Sequence, residues 1–269
     1  MKKFFKLTRT QNRCLLSTIC AIALVTVIGF SFAACDNGTT ITYDYSGKSI
    51  ADFATWLKEQ PDNTAETAYK VKLSVDDIGG KSSEAGSAGH TLRHNSTKYV
   101  SLDLSGCTFT LIYYEAFYSC DSLTSVNISK SVTVIGEGAF YDCTYLTSVN
   151  IPNSVTVIGL DAFHNCDSLT SVTIPNSVTF IDGRAFYRTS LTSVTIPNGV
   201  TSIGNYAFEY CKSLTSVTFA KGSNITNFGS YAFPEGTSGS GGSKLKTAYQ
   251  TGGAGTYTRE PNGSAWTKN

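Results

Sequence analysis

Charge is scarce in this chain, and so are the residues on which most enzyme chemistry depends. Asp, Glu, Lys and Arg together make 15% of the 269 residues, with three histidines, two tryptophans and one methionine. A composition so poor in alternating charge argues against long solvated helices and coiled coils. The chain also lacks a glycine-rich phosphate loop, a nucleophile elbow and a distinctive acid–base pair. The expectation is therefore no enzyme, no cofactor, no bound metal and no small-molecule substrate. The formal net charge of +1 hides an asymmetry, because residues 1–34 hold five basic side chains (Lys2, Lys3, Lys6, Arg9, Arg13) and no acidic one. Subtracting five from 21 leaves 16 basic against 20 acidic groups in the remainder. A mildly acidic body has no footprint for a phosphate backbone, so nucleic acid is not an expected partner.

What is present begins with an export signal. Basic residues are followed by an apolar run from Cys14 to Phe32, then by Ala33 and Ala34 before Cys35. That order is the anatomy of a secretory signal. Ala33-Ala34-Cys35 resembles a bacterial lipobox, in which the cysteine is acylated and becomes the first residue; Phe32 departs from the leucine usual at its position. The resemblance implies a signal peptide over 1–34 and lipidation at Cys35, tethering the chain to a membrane of the cell envelope. The alternative is an uncleaved anchor, since the run approaches the ~20 residues that span a bilayer. Both readings export the body of the chain, to the outer surface or the periplasmic face.

The body repeats itself. LTSVNISKSVTVIGEGAFYDCTY starts at Leu123 and restarts at Leu146, Leu169, Leu191 and Leu214, with a looser copy from Tyr99. The period is 23 residues with slips of one or two, as Phe117, Phe140, Phe163, Phe186, Phe208 and Phe233 show. Each L-x-x-V-x-I piece alternates like a strand, with Val126 and Ile128 inward and Ser125 and Asn127 outward. Pro152, Pro175 and Pro197 stand where such strands must stop, having no N–H to give a ladder. Gly136, Gly159 and Gly204 follow the second apolar piece and suggest a turn with positive φ; Asp182 replaces the glycine in the third copy, as that region tolerates. One unit cannot bury its own apolar residues, so units must stack with like side chains in columns about 4.7–4.9 Å apart.

The motif L-T-S-V-T-I-P-N-S-V-T-x-I-G-x-x-A-F-x-x-C resembles the BspA-like leucine-rich repeat of bacterial surface proteins. The resemblance implies a leucine-rich-repeat solenoid, a right-handed parallel coil of short strands with short helical turns. It also implies adhesion to host or bacterial proteins, as several members of that family show. Residues 99–235 form the six coils. Residues 35–98 are read as an N-terminal linker and small α/β cap, with a helix over Ile50–Gln60 started by Ser49 and Asp52 and a strand around Tyr69, Val71 and Leu73. Residues 79–98 are expected to be a mobile loop. Residues 236–269 are read as a flexible linker and a C-terminal cap, with a helix over Lys244–Gln250 and apolar mass from Tyr257 and Trp266.

Two surfaces and one column are the candidate sites. Outward strand positions carry Ser125, Ser148, Ser171, Ser193 and Ser216 beside Asn127, Asn150, Thr173, Thr195 and Thr218, a polar face read first as solubilising. The turn after each phenylalanine carries Tyr118, Tyr141, His164, Tyr187 and, one place on, Tyr210. Amphipathic rings along a rigid edge suit a protein-binding surface, or else merely cover the coil edge. Cys120, Cys143, Cys166 and Cys211 share one repeat position and should form a buried column, either as free thiols or as bridges between neighbouring coils. His90 and His94, four apart, lack the further ligands a metal needs. Two functions compete: an exported binding or adhesion module, and a passive spacer of the envelope with no dedicated ligand.

Overall fold

The structure is a computed structural model that describes residues 32–33, 42–234, 244–260 and 265–269. Cys35, most of the predicted signal and the predicted linker at 236–243 lie outside the described residues. Among those described, no helix is long and apolar enough to cross a membrane.

The chain winds as a parallel solenoid. One sheet holds β1 (Phe32–Ala33), β2 (Thr42–Ser46), β3 (Tyr69–Ser74), β4 (Val100–Asp103), β6 (Leu123–Asn127) and β8 (Ser148–Asn150), all parallel except β1. A second, wholly parallel sheet stacks two-residue strands in chain order: β5 (Leu111–Ile112), β7 (Val134–Ile135), β9 (Val157–Ile158), β10 (Phe180–Ile181), β12 (Ser202–Ile203) and β14 (Asn227–Phe228). Pairings such as Val126 with Val149 and Val157 with Phe180 carry the 23-residue period directly into contact. Phe180 pairs with Ser202 and Ser202 with Asn227, which places the sequence slips in the turns rather than in the ladder.

Between the sheets, Leu, Val, Ile, Ala, Phe and Cys files merge into one core. Its centre is the phenylalanine file: rings 117, 140, 163, 186, 208 and 233 lie 5.2, 5.2, 5.3, 5.1 and 4.9 Å apart, with planes within 9° of parallel. All six are fully buried.

The glycines after the second strand do not adopt the positive φ that the sequence suggests. They are crowded instead. A Cβ on Gly136, Gly159 or Gly204 would lie 2.6, 2.8 or 2.3 Å from backbone of the preceding coil. Asp182, at the same place, likewise does not have positive φ; its carboxylate accepts from Gly183 N at 2.6 Å. We expect Gly159→Ala to lower unfolding free energy by about 1–3 kcal/mol, the usual cost of overpacking, measured by urea titration.

Positive φ falls two residues later, at Glu115, Gly138, Asp161, Arg184, Tyr206 and Tyr231, and again at Ser119, Asp142, Asn165, Arg188 and Tyr210. A left-handed non-glycine residue costs about 1–2 kcal/mol. The return is a third hydrogen-bonded file. In the first coil Glu115, Phe117 and Ser119 each donate N–H to the next coil, at 2.8, 2.8 and 2.7 Å, while Ala116, Tyr118 and Cys120 close tight turns within their own coil. The pattern repeats up the stack, as in Phe163 N to Ala185 O at 2.8 Å.

Two further differences from the sequence reading stand out. Residues 79–98 are not a plain loop: α2 (Ala88–Arg93) starts at Ser87, whose hydroxyl accepts from His90 N. The helix is short and unmarked by periodicity, and it forms because the first coil holds it: Cys120 Sγ donates to Gly89 O and Ser122 Oγ to Leu92 O. The strand ladder is also interrupted, since Ser171–Ile174 pairs with neither β8 nor β11 (Ser193–Ile196). Val172 on that stretch and Val149 on the neighbouring β8 are only half-buried, whereas Val126, Val194 and Val217 are buried. The cysteine column takes the free-thiol form of the two that the sequence left open, with no bridge among the described residues. Cys107, Cys120, Cys143, Cys166 and Cys211 are free and buried.

Both ends are closed. Helix α1 (Ile50–Glu59), capped by the reciprocal Ser49–Asp52 pair, buries Ile50, Phe53 and Leu57. At the other end β13 (Ser216–Phe219) pairs antiparallel with β15 (Gly255–Thr258), which pairs with β16 (Thr267–Lys268), and α3 (Lys244–Gly252) buries Leu245 and Tyr249. Arg259 supplies what a further coil would: its guanidinium donates to Leu214 O at 2.6 Å and to Cys211 and Lys212 carbonyls. Antiparallel pairing and a side chain on the last carbonyls stop the stack from recruiting another strand.

Candidate functional site

The edge rings come together as one file. Tyr118 and Tyr141 lie 4.9 Å apart at 9°, Tyr141 and His164 4.4 Å at 25°, His164 and Tyr187 4.6 Å at 30°, and Tyr187 and Tyr210 5.2 Å at 56°. Each ring leaves the turn just after a core phenylalanine, so the coil spacing that stacks the core also stacks the edge. Tyr118, Tyr141, His164 and Tyr187 are half-buried, and Tyr210 is 52% exposed at the C-terminal end. Tyr210 sits one place later in its turn, which accounts for its tilt.

The geometry changes what the file can do. Ring faces are occupied by neighbouring rings, so along most of its length the file offers ring edges; a free ring face remains only at its ends. Burial, followed by nearby acidic groups, raises the Tyr141 phenol above its ordinary value. Burial raises Tyr187 likewise. Both stay protonated in the physiological range and remain hydrogen-bond donors, and among the described residues neither hydroxyl has an intramolecular partner.

Polar groups brace the file. Asp161 binds His164 Nδ1 through Oδ1 at 2.6 Å, with Arg184 3.9 Å from Oδ2. Asn165 Nδ2 donates to Asp142 Oδ1 at 2.7 Å across coils. The signal for the first pair was available, since Asp161 and His164 are three apart in one tight turn. The second is a 23-residue pair and becomes visible once the columns are drawn.

The polar strand face is less available than its composition suggests. Asn150 Nδ2 donates to Asn127 Oδ1 at 2.7 Å, and Asn127 Nδ2 to Asp103 Oδ1 at 2.8 Å. Thr124, Thr147 and Thr215 hydroxyls donate to carbonyls of the coil before. Much of this face holds coils together. The thiol file does the same inside: Cys143, Cys166 and Cys211 donate to Phe117, Phe140 and Phe186 carbonyls at 3.0, 3.2 and 3.0 Å. Thr189 takes the cysteine position in the coil between Cys166 and Cys211 and hydrogen-bonds Cys211 Sγ at 3.1 Å. Desolvation pushes the Cys211 thiol up to about 11 and raises Cys120, Cys143 and Cys166 further. Such thiols are neither nucleophiles nor metal ligands. His90 and His94 stack at 3.9 Å on α2, and among the described residues no three or more His, Cys, Asp or Glu gather to hold a metal.

A solenoid of parallel ladders with stacked phenylalanine and cysteine files defines a leucine-rich-repeat protein, a class that generally serves as a protein-binding scaffold. Residues 110–238 match the BspA type leucine-rich repeat region in six copies, and this stretch of the chain belongs to that family. A Bacteroides ovatus leucine-rich repeat protein is 26% identical over 72% of this chain and 41% of its own, with a TM-score of 0.40. The present chain thus spans less than half of that protein. The T. pallidum leucine-rich repeat protein is 22% identical over 83% of this chain and 93% of its own, with a TM-score of 0.48. A leucine-rich cell surface protein of Faecalibacterium prausnitzii is 26% identical over 72% of this chain and 54% of its own, with a TM-score of 0.38. No curated protein matches the chain.

Proposed function

We propose that this chain is an exported, lipid-anchored leucine-rich-repeat protein that captures a protein partner on the file of Tyr118, Tyr141, His164, Tyr187 and Tyr210. The observation that carries the reading is the continuity of that file: five rings in contact on one rigid edge, with phenol donors and a free ring face at Tyr210. Tyrosine ordered beforehand by its neighbours loses little entropy on binding, which is why such surfaces serve as anchors. Export and anchoring are supported by the signal anatomy of residues 1–34 and by Cys35 after two alanines. The partner is a protein of a host or neighbouring bacterial surface, and attachment to the envelope makes the contact adhesive.

Changing Tyr141, His164 and Tyr187 together to Ser should abolish partner capture by cells displaying the chain, with the solenoid still folded by circular dichroism. Undiminished capture would refute the ring file as the site. Cys35→Ser should block incorporation of a labelled fatty acid and release the chain from membranes. Protease shaving of intact cells tells the outer surface from the periplasmic face.

The rings' use of one another's faces favours a second reading, a passive spacer whose edge rings only seal the coil. It predicts that the triple variant loses stability and nothing else.

A further inference from the structure

We propose that a hollow of about 420 Å³ beside the second sheet binds a neutral sugar ring. It shares Arg184 with the groups that brace the ring file and does not depend on the protein-capture reading. It lies beside an exchange in the third coil. In the coils on either side the residue after the second strand is a crowded glycine followed by a side chain, Gly159-Leu160 and Gly204-Asn205; here the order is Asp182-Gly183. Gly183 has no left-handed backbone but is closely packed, since a Cβ there would lie 3.2 Å from Asn205 O and from Leu160 Cδ1. The hollow is lined by Leu160, Phe180, Asp182, Asn205, Tyr206 and Asn227 around this position.

The lining chemistry selects the ligand. Asp182 uses one carboxylate oxygen on Gly183 N, leaving the other. Asn205 spends its oxygen on Ser230 N and keeps its amide donors, while Asn227 spends its amide nitrogen on Ser202 Oγ and keeps its oxygen. The lining therefore holds both spare donors and spare acceptors, beside the half-buried Phe180 and the 37% exposed Tyr206. Vicinal hydroxyls, each both donor and acceptor, answer that mixture, and the C–H face of a pyranose answers the rings. Asp182 and Arg184 oppose each other in charge, so neither an anion nor a cation is preferred.

The test uses the full-length chain in detergent and saturation-transfer NMR with methyl glycosides of glucose, galactose, mannose and N-acetylglucosamine. A ligand of this size in an open hollow should saturate with Kd on the order of millimolar. Asn205→Ala, which removes the spare amide donors, should weaken the signal severalfold with the solenoid still folded by circular dichroism, and Asp182→Ala should weaken binding by about tenfold or more, the usual loss for a hydrogen bond to a charged group. The triple Ser variant of the ring file should bind the sugar normally. Oligomers of the sugar that binds tell a chain end from an internal unit. The proposal is overturned if no glycoside saturates, if Asn205→Ala and Asp182→Ala both bind as well as wild type, or if only charged probes such as glucuronate bind.

Discussion

Phe163→Ala should destabilise the solenoid by about 3–5 kcal/mol, the range for deleting a buried phenylalanine. The ring has no solvent exposure and lies between Phe140 at 5.2 Å and Phe186 at 5.3 Å, with planes within 8°. Its loss leaves a cavity and breaks two aromatic contacts at once, in a protein whose whole stability is expected near 5–15 kcal/mol. Because each coil touches mainly its neighbours, stability is a sum of coil and interface terms. The loss is therefore local, and melting followed by calorimetry should show either a lower Tm or two transitions, one from each side of coil 146–168. The next coil is already the weakest on the strand face, where Ser171–Ile174 lacks ladder pairing; its amides should exchange fastest in hydrogen-exchange measurements of the variant. An unchanged single transition would mean that the phenylalanine file does not hold the stack.

Alkaline pH should unfold the protein steeply. Cys120, Cys143, Cys166 and Cys211 have no solvent exposure, and burial raises every one of their thiol pKa values. A raised folded pKa means that the native state holds its proton more tightly than the unfolded chain, whose cysteines titrate near 8.5. Below about pH 8 both states are protonated and these groups add no pH dependence. Above it the unfolded chain ionises alone, and stability falls by about 1.4 kcal/mol per pH unit for each thiol. For Cys211 the fall ends at its folded pKa of about 11; for the other three it continues beyond. Four such thiols give a limiting slope of about 5 kcal/mol per pH unit, enough to exhaust a typical domain within about one to three units. Urea titrations at pH 8, 9 and 10 measure the slope. Replacing Cys143 and Cys166 together by Ala should roughly halve it, at the expense of two thiol-to-carbonyl contacts at pH 7. A slope the same in both proteins would show that the thiols are not its source.

The ring file illustrates how far a repeat can be read from residues alone. That Tyr118, Tyr141, His164 and Tyr187 would align follows from period and position, and the structure stacks them at 4.4–4.9 Å. That their faces would be used up by one another does not follow, because it depends on ring orientation. The same division applies to Asp161: its spacing of three from His164 can be read along the chain, while their contact at 2.6 Å depends on how both side chains turn.

What the sequence determined by itself is the period, and with it every column of the core. In a stack of like units, residues one period apart must be neighbours in space, so the contact map is written in the repeat. Tertiary structure alone decided why particular residues stand where they do. Gly136, Gly159 and Gly204 look like turn glycines but answer to the backbone of the coil before, and the positive φ falls on Glu115, Arg184 and Tyr206, whose types give no hint of it. Helix α2 exists because the first coil accepts it, and the cysteines remain thiols because each donates to a carbonyl in the neighbouring layer. These are distances between coils, set by how closely backbones approach when the units close on one another, and no spacing along the chain encodes them.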